Sequence, residues 1–217
     1  MMKSVLADAV FGGALMIEFY ASEALICPRR VWFRLKGIPE KWPEVAKPRL
    51  EKGMKIHEVL GKVLKDRFDV ELEKSVIIRF PKLGMEIHGK IDVYKEFPIE
   101  IKGKSYIPSS PIDYHLAQLN LYLRGVNAEY GYLYYVKLTD DPWRAISDIV
   151  FDSFPLIKGN GLKIFEVPYD EVLFKETVKY FYEIKLYLEN DELPPAWKGP
   201  HCKFCPYNYI CLSGEEF

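Results

Sequence analysis

The segment Gly89–Lys104, GKIDVYKEFPIEIKGK, sets charged side chains inside two apolar runs that otherwise read as buried strands. Asp92 lies between Ile91 and Val93, Glu100 between Ile99 and Ile101, and Lys102 two residues further on. Taking such ions out of water costs several kcal/mol each unless partners compensate them. Side chains two apart share a strand face, so Glu100 and Lys102 point one way and the isoleucines the other. A turn near Lys95–Phe97 folds the segment into a hairpin and brings Asp92 alongside Glu100. Two carboxylates so placed repel unless a hard cation sits between them, and Mg²⁺ or Mn²⁺ prefers such donors. Lys102 beside them can orient a water or stabilise charge developing on a phosphate. The alternative is an exposed edge hairpin with an ordinary salt bridge, since half-polar strands are common.

The rest of the chain supplies a frame for this hairpin. Ser22 can cap a helix through EALICPRRVWFRLKG, with Gly37 as its stop and Pro28 marking a break or a start near Cys27. Ile38–Leu50 carries three prolines and reads as a loop. Apolar residues at Met54, Ile56, Val59, Leu60, Val63, Leu64 and Phe68 then predict a helix. VIIRF, MEIHGKIDVY and FPIEIKGK read as strands, followed by a helix over Asp113–Arg124, capped by Asp113 and ended by Gly125. EYGYLYYVKL, ISDIVF and LKIFEVPY read as further strands, Tyr169–Glu189 as a long amphipathic helix, and the tail from Leu193 as a cysteine-bearing loop. The fold class is therefore α/β, a mixed central sheet flanked by helices, in one domain spanning 1–217.

Composition narrows the function classes. The chain has 217 residues and a net charge of −1, so no global field draws in nucleic acid. Arg29–Lys55 nevertheless holds nine Lys/Arg against three Glu, interleaved with Trp32, Phe33 and Trp42. Cations attract phosphates and aromatics stack on unpaired bases; the alternative is a solvated face over a buried Trp32. No apolar run reaches the ~20 residues needed to cross a bilayer, and the apolar N-terminus has no clear cleavage site, so a cytoplasmic protein is expected. Gln118 is the only glutamine among abundant Lys and Glu, a bias that suits a thermophile. Gly103-Lys104-Ser105 ends like a phosphate loop, but Pro98 stands where its first glycine belongs.

His57 lies one helical turn after Gly53, and Gln118 and Tyr122 are i,i+4 neighbours on one helical face. Singly these are weak signals. The order His57, Asp92, Glu100-Ile101-Lys102, Gln118-x-x-x-Tyr122 resembles the RecB-like branch of the PD-(D/E)XK nuclease superfamily, with Ile91 where the superfamily name has proline. The resemblance implies a restriction-endonuclease-like core and metal-dependent phosphodiester hydrolysis. His57, Asp92, Glu100 and the Ile101 carbonyl would hold Mn²⁺ or Mg²⁺, Lys102 would position or activate water, and Gln118 and Tyr122 would face the site and the DNA strand.

The four cysteines are Cys27 and, 175 positions later, the group Cys202-x-x-Cys205-x₅-Cys211. Four thiolates suit a soft metal centre, zinc or iron–sulfur, and would clamp the N-terminal helix region (about 20–37) to the tail (about 194–217). Disulfides are the third option. Cys27-Pro28-Arg29-Arg30 and Cys202-Lys203-Phe204-Cys205-Pro206-Tyr207 bracket the nuclease core in a way that resembles the CRISPR-associated Cas-four exonuclease family over nearly the whole chain. This resemblance implies an iron–sulfur cluster on the four cysteines, four-iron rather than two-iron. It also implies a single-stranded DNA exonuclease, 5′ to 3′, trimming ends for a CRISPR integrase complex, with oligomers allowed. Two rivals stand beside it: a recombination, repair or viral nuclease of the same fold, and a silent DNA-binding subunit.

Overall fold

The computed structural model describes residues 10–11 and 14–211; the ends of the expected domain, 1–9 and 212–217, lie outside them. After a ribbon of two-residue strands, β1 (Val10–Phe11) and β2 (Ala14–Leu15), the order is β3 (Ile17–Tyr20), α1 (Pro28–Leu35), α2 (Lys47–Arg67), β4 (Glu71–Phe80), β5 (Met85–Tyr94), β6 (Pro98–Lys104), α3 (Asp113–Val126), β7 (Tyr130–Lys137), α4 (Pro142–Ser147), β8 (Leu162–Pro168), α5 (Glu171–Glu189) and α6 (Asn208–Cys211). Six strands form one mixed sheet in the order β3-β5-β6-β7-β8, with β4 also on β5. β3–β5 and β6–β7 are parallel; β4–β5, β5–β6 and β7–β8 are antiparallel.

Helices cover both faces, and β7 shows why its sequence is apolar almost throughout. Leu133 and Tyr135 enter a core with Leu119, Leu123 and Phe181 from α3 and α5. Tyr132, Tyr134 and Val136 enter a second core with Ile56, Leu60 and Leu64 from α2. A strand buried on both faces loses the polar alternation of a half-exposed one. The tyrosine-rich segment is thus core, as expected.

Four local expectations are corrected. Helix α1 begins at Pro28 rather than at Ser22, because proline fits the first turn, where no N–H is needed. Helix α2 begins at Lys47, inside the expected loop, for the same reason at Pro48. Gly125 lies within α3, and the helix leaves through left-handed Asn127. A Cβ on Gly125 would meet Val76 Cγ1 at 2.2 Å, so that glycine serves close packing on β4. ISDIVF is no strand: Ile146 and Ser147 close α4, whose Asp141 accepts the Trp143 N–H, and Val150 makes only an isolated bridge to Lys158.

Candidate active site

The β5–β6 hairpin pairs at Tyr94↔Pro98 and Val93↔Ile99, and then the ladder stops. One step further along this register Asp92 faces Glu100. The edge of β5 is given over to β3 at Met85–His88, so a gap opens beside Asp92. There the Asp92 Oδ2 accepts the Ile101 N–H at 2.7 Å, a bond that a continued ladder would give to Ile91. N–H and C=O of one strand residue face the same edge, so the Ile101 carbonyl also opens toward the gap.

Six side chains meet around this gap. The Asp92 Oδ1 lies 3.2 Å from His57 Nδ1 of α2. Glu100 Oε1 and Lys102 Nζ are 2.6 Å apart. Lys102 also donates to Gln118 Oε1 at 2.8 Å, and Gln118 Nε2 donates to Tyr122 Oη at 3.0 Å. Ile99 and Ile101 turn into the α2-side core, as the two-residue period requires.

Burial sets the electrostatics. Glu100 is 2% exposed, and burial, then the Asp92 charge, push its carboxyl up to about 7 against the pull of Lys102 and His57. Burial pulls Lys102 down, but Glu100 and Asp92 more than offset this and hold it protonated. For His57 burial again lowers and Asp92 raises, with a net rise. Burial and then the Glu100 charge raise the Tyr122 phenol. Glu100 Oε2 is buried without a hydrogen-bond partner. An unsatisfied buried carboxylate oxygen beside a second carboxylate and an imidazole suits a hard divalent cation, which takes oxygen donors and His nitrogen.

The site opens into a groove of about 1330 Å³ whose lining includes His57, Asp92 and Lys102. Arg30, Trp42 and Arg49 line it further along, with the Arg30 guanidinium 5.6 Å from the Trp42 ring centre. Of the aromatics in the basic segment only Trp42 serves the groove. Phe33 is buried against Tyr207, and Trp32 packs on the α3–α5 core.

Cys27 and Cys205 stand in the groove wall. With Cys202 and Cys211 they also line one small cavity, and all four thiols are free. The Trp197 N–H donates to Cys27 Sγ at 3.5 Å, and Arg29 Nη1 to Cys211 Sγ at 3.9 Å. Burial, with Cys27 and Cys211 adding to it, raises the Cys205 thiol. The tail is seated by main-chain and ring contacts: Lys41 N–H donates to Pro206 O at 2.9 Å, and Tyr209 Oη to Pro39 O at 2.8 Å. Four convergent thiols with N–H donors near their sulfurs fit a thiolate-bound metal group.

Sequence reasoning did not see another group. Glu18, Glu86 and His88 bring ligand-type atoms within 4.8 Å of one another outside the groove. Glu86 and His88 share a face of β5, but Glu18 joins them only through the parallel pairing of β3, which no local pattern announces. His88 Nε2 is 2.7 Å from Glu86 Oε1, and Arg79 Nε is 3.3 Å from Glu86 Oε2, so both Glu86 oxygens already have protein partners.

Comparison with known proteins follows the same lines. No protein-family model matches the chain. It is 26% identical over 200 residues to the CRISPR-associated exonuclease Cas4 of Saccharolobus solfataricus, covering 88% of this chain and 86% of that protein. Its fold is similar to that of SSO0001, with a TM-score of 0.62, 22% identity and coverage of 95% and 89%. An alkaline exonuclease from Laribacter hongkongensis follows, with a TM-score of 0.51, 14% identity and coverage of 80% and 89%. The gap in the hairpin, the residues around it and these likenesses agree: the chain is similar over most of its length to the CRISPR-associated exonuclease Cas4, and its fold is similar to that of an alkaline exonuclease.

Proposed function

We propose that the protein is a divalent-metal-dependent deoxyribonuclease that trims single-stranded DNA ends. The observation that carries this reading is the buried, unpartnered Oε2 of Glu100, held beside Asp92, His57 and Lys102 at the floor of an open groove. His57, Asp92, Glu100 and the Ile101 carbonyl would hold Mn²⁺ or Mg²⁺, which supplies Lewis acidity and an activated water. Lys102 is held protonated by Glu100, so it serves as an electrostatic partner for a phosphate oxygen and as a donor that orients water. Gln118 fixes the Lys102 ammonium from α3, and Tyr122 fixes Gln118.

The relative named as a CRISPR-associated exonuclease supports exonuclease action in a CRISPR setting; within it, we propose 5′ to 3′ cutting beside an integrase during spacer acquisition. The four free thiols on one cavity support a thiolate-bound metal group; we take it to be an iron–sulfur cluster, four-iron rather than two-iron, that clamps the region 20–37 to the tail from 194. Among the described residues no helix is long and apolar enough to cross a membrane, in line with action on cytoplasmic DNA.

The test is cleavage of end-labelled single strands under titration with Mg²⁺ and Mn²⁺. Activity that needs the cation and vanishes in Glu100→Ala, with product ladders set by the labelled end, supports the reading. Full cleavage by a clean Glu100→Ala preparation excludes it.

A further inference from the structure

The face of β6 that carries Glu100 and Lys102 continues to Lys104, which neither the fold nor the proposed chemistry requires. Lys104 is a half-buried cation whose Nζ donates to the Tyr114 hydroxyl at 3.2 Å and lies 5.5 Å from that ring centre. Arg49, on α2, lines the same groove, with its guanidinium 5.4 Å from the Phe204 ring. Among the described residues neither is paired with a carboxylate. Burial, followed by the charges of Arg49 and Lys102, lowers the Lys104 ammonium to about 8. Lys102 has Glu100 as its anion, but Lys104 and Arg49, near enough for one charge to act on the other at the groove wall, have none.

The placement follows from two matched repeats. Arg49, Gly53 and His57 are four apart on α2, about 6 Å per step. Glu100, Lys102 and Lys104 are two apart on β6, about 6.6 Å per step. The elements touch where Gly103 meets Gly53, 3.4 Å separating the Gly53 Cα from an ideal Gly103 Cβ. His57 with Glu100 therefore marks the acidic end of the groove floor, and Arg49 with Lys104 a cationic end roughly 13 Å along the strand.

We propose that Lys104, Arg49 and Tyr114 form a phosphate-binding subsite that holds the substrate strand next to the cleaved bond. This rests on the nuclease reading above and deepens it: Lys102 serves the reacting phosphate, and Lys104 grips a neighbouring one. Lys104 supplies a point charge, Arg49 a planar fork of donors, and Tyr114 a hydroxyl that keeps the ammonium aimed into the groove. The phosphate is either an internal diester or a terminal monoester, and the same cations suit both.

The experiment measures binding of a fluorescent single strand without divalent cation, so that no cleavage intervenes, across a salt series. Strands with a 5′-phosphate are compared with strands bearing a 5′-hydroxyl. Lys104→Ala should weaken binding roughly tenfold and reduce the salt slope by about 0.7, the value of one lost single-strand contact. Lys104→Arg should restore the slope, and Lys179→Ala on α5 should leave it unchanged. A loss confined to 5′-phosphorylated strands assigns the subsite to a terminal phosphate, and an equal loss for both assigns it to an internal one. In cleavage, Lys104→Ala should raise KM more than it lowers kcat.

Wild-type binding with an unaltered slope in a folded Lys104→Ala protein, checked by circular dichroism, overturns the subsite and leaves the nuclease reading standing. A wild type that binds no single strand overturns both. Retained cleavage in Glu100→Ala together with the reduced slope in Lys104→Ala removes the proposed catalytic centre but keeps the subsite.

Discussion

Gly103 of β6 faces Gly53 of α2 so closely that a methyl group on Gly103 would sit 3.4 Å from the Gly53 Cα and 2.6 Å from Leu138 Cδ2. This contact sets how far His57, one turn along α2, stands from the Asp92–Glu100 gap. The two glycines are not equivalent. A Cβ on Gly53 meets nothing within 4 Å. Gly103→Ala should cost about 1–3 kcal/mol by overpacking. The clash falls on the Leu138 side chain while the Gly53 contact stays ordinary, so α2 and His57 should keep their place and cleavage should fall by no more than the loss of stability explains. Gly53→Ala should gain about 0.5–1 kcal/mol as an ordinary helix substitution. Urea unfolding of the two variants, read beside their cleavage rates, checks the contrast.

The unpartnered Glu100 oxygen predicts that divalent cations stabilise the fold. At a hundred times its dissociation constant, Mg²⁺ or Mn²⁺ should add about 2.7 kcal/mol. Thermal melts with and without cation should show this in the wild type and lose most of it in Glu100→Gln. Equal shifts in both proteins would place the cation elsewhere.

His115 predicts a specific acid sensitivity. It is 3% exposed, its Nδ1 is 2.8 Å from the Tyr135 hydroxyl, and Tyr114, Lys102 and Lys104 are its other polar neighbours. Burial first, then Lys102 and Lys104, lower its pKa to about 2 from the 6.5 of a free imidazole. The unfolded chain therefore takes up a proton that the folded one refuses. Stability is unaffected above about pH 6.5 and falls below it, by up to about 1.4 kcal/mol per pH unit. His115→Gln should flatten the acid limb of the stability profile between pH 6 and 4 by up to one proton, as denaturant titrations at stepped pH would show.

The cysteine cavity predicts a metal content. Cys27→Ser should remove visible absorption and iron from the purified protein together and lower its melting temperature, since a ligand joining residues so far apart in sequence constrains a long loop. A colourless wild type carrying one zinc per chain would replace the cluster with a zinc centre.

Much of the site was legible because its signals are local. The charges in FPIEIKGK violate an apolar strand, and the two-residue period places Glu100 and Lys102 on one face without further information. The 3.6-residue period does the same for Gln118 and Tyr122, which meet at 3.0 Å. ISDIVF failed for the converse reason: a short apolar run has no period of its own, and the helix capped upstream by Asp141 takes only its first two residues.

The amino-acid sequence by itself determined which residues are polar within apolar strands, which helices are amphipathic and which cysteines exist. The tertiary structure alone decided that the β5–β6 ladder stops at Asp92, that α2 closes on Gly103, and that Glu18 or Arg49 finds its neighbours. The physical reason is range. Side-chain direction follows from the backbone repeat over a few residues, whereas the partner across a strand gap or a groove depends on register and packing between segments distant in the chain.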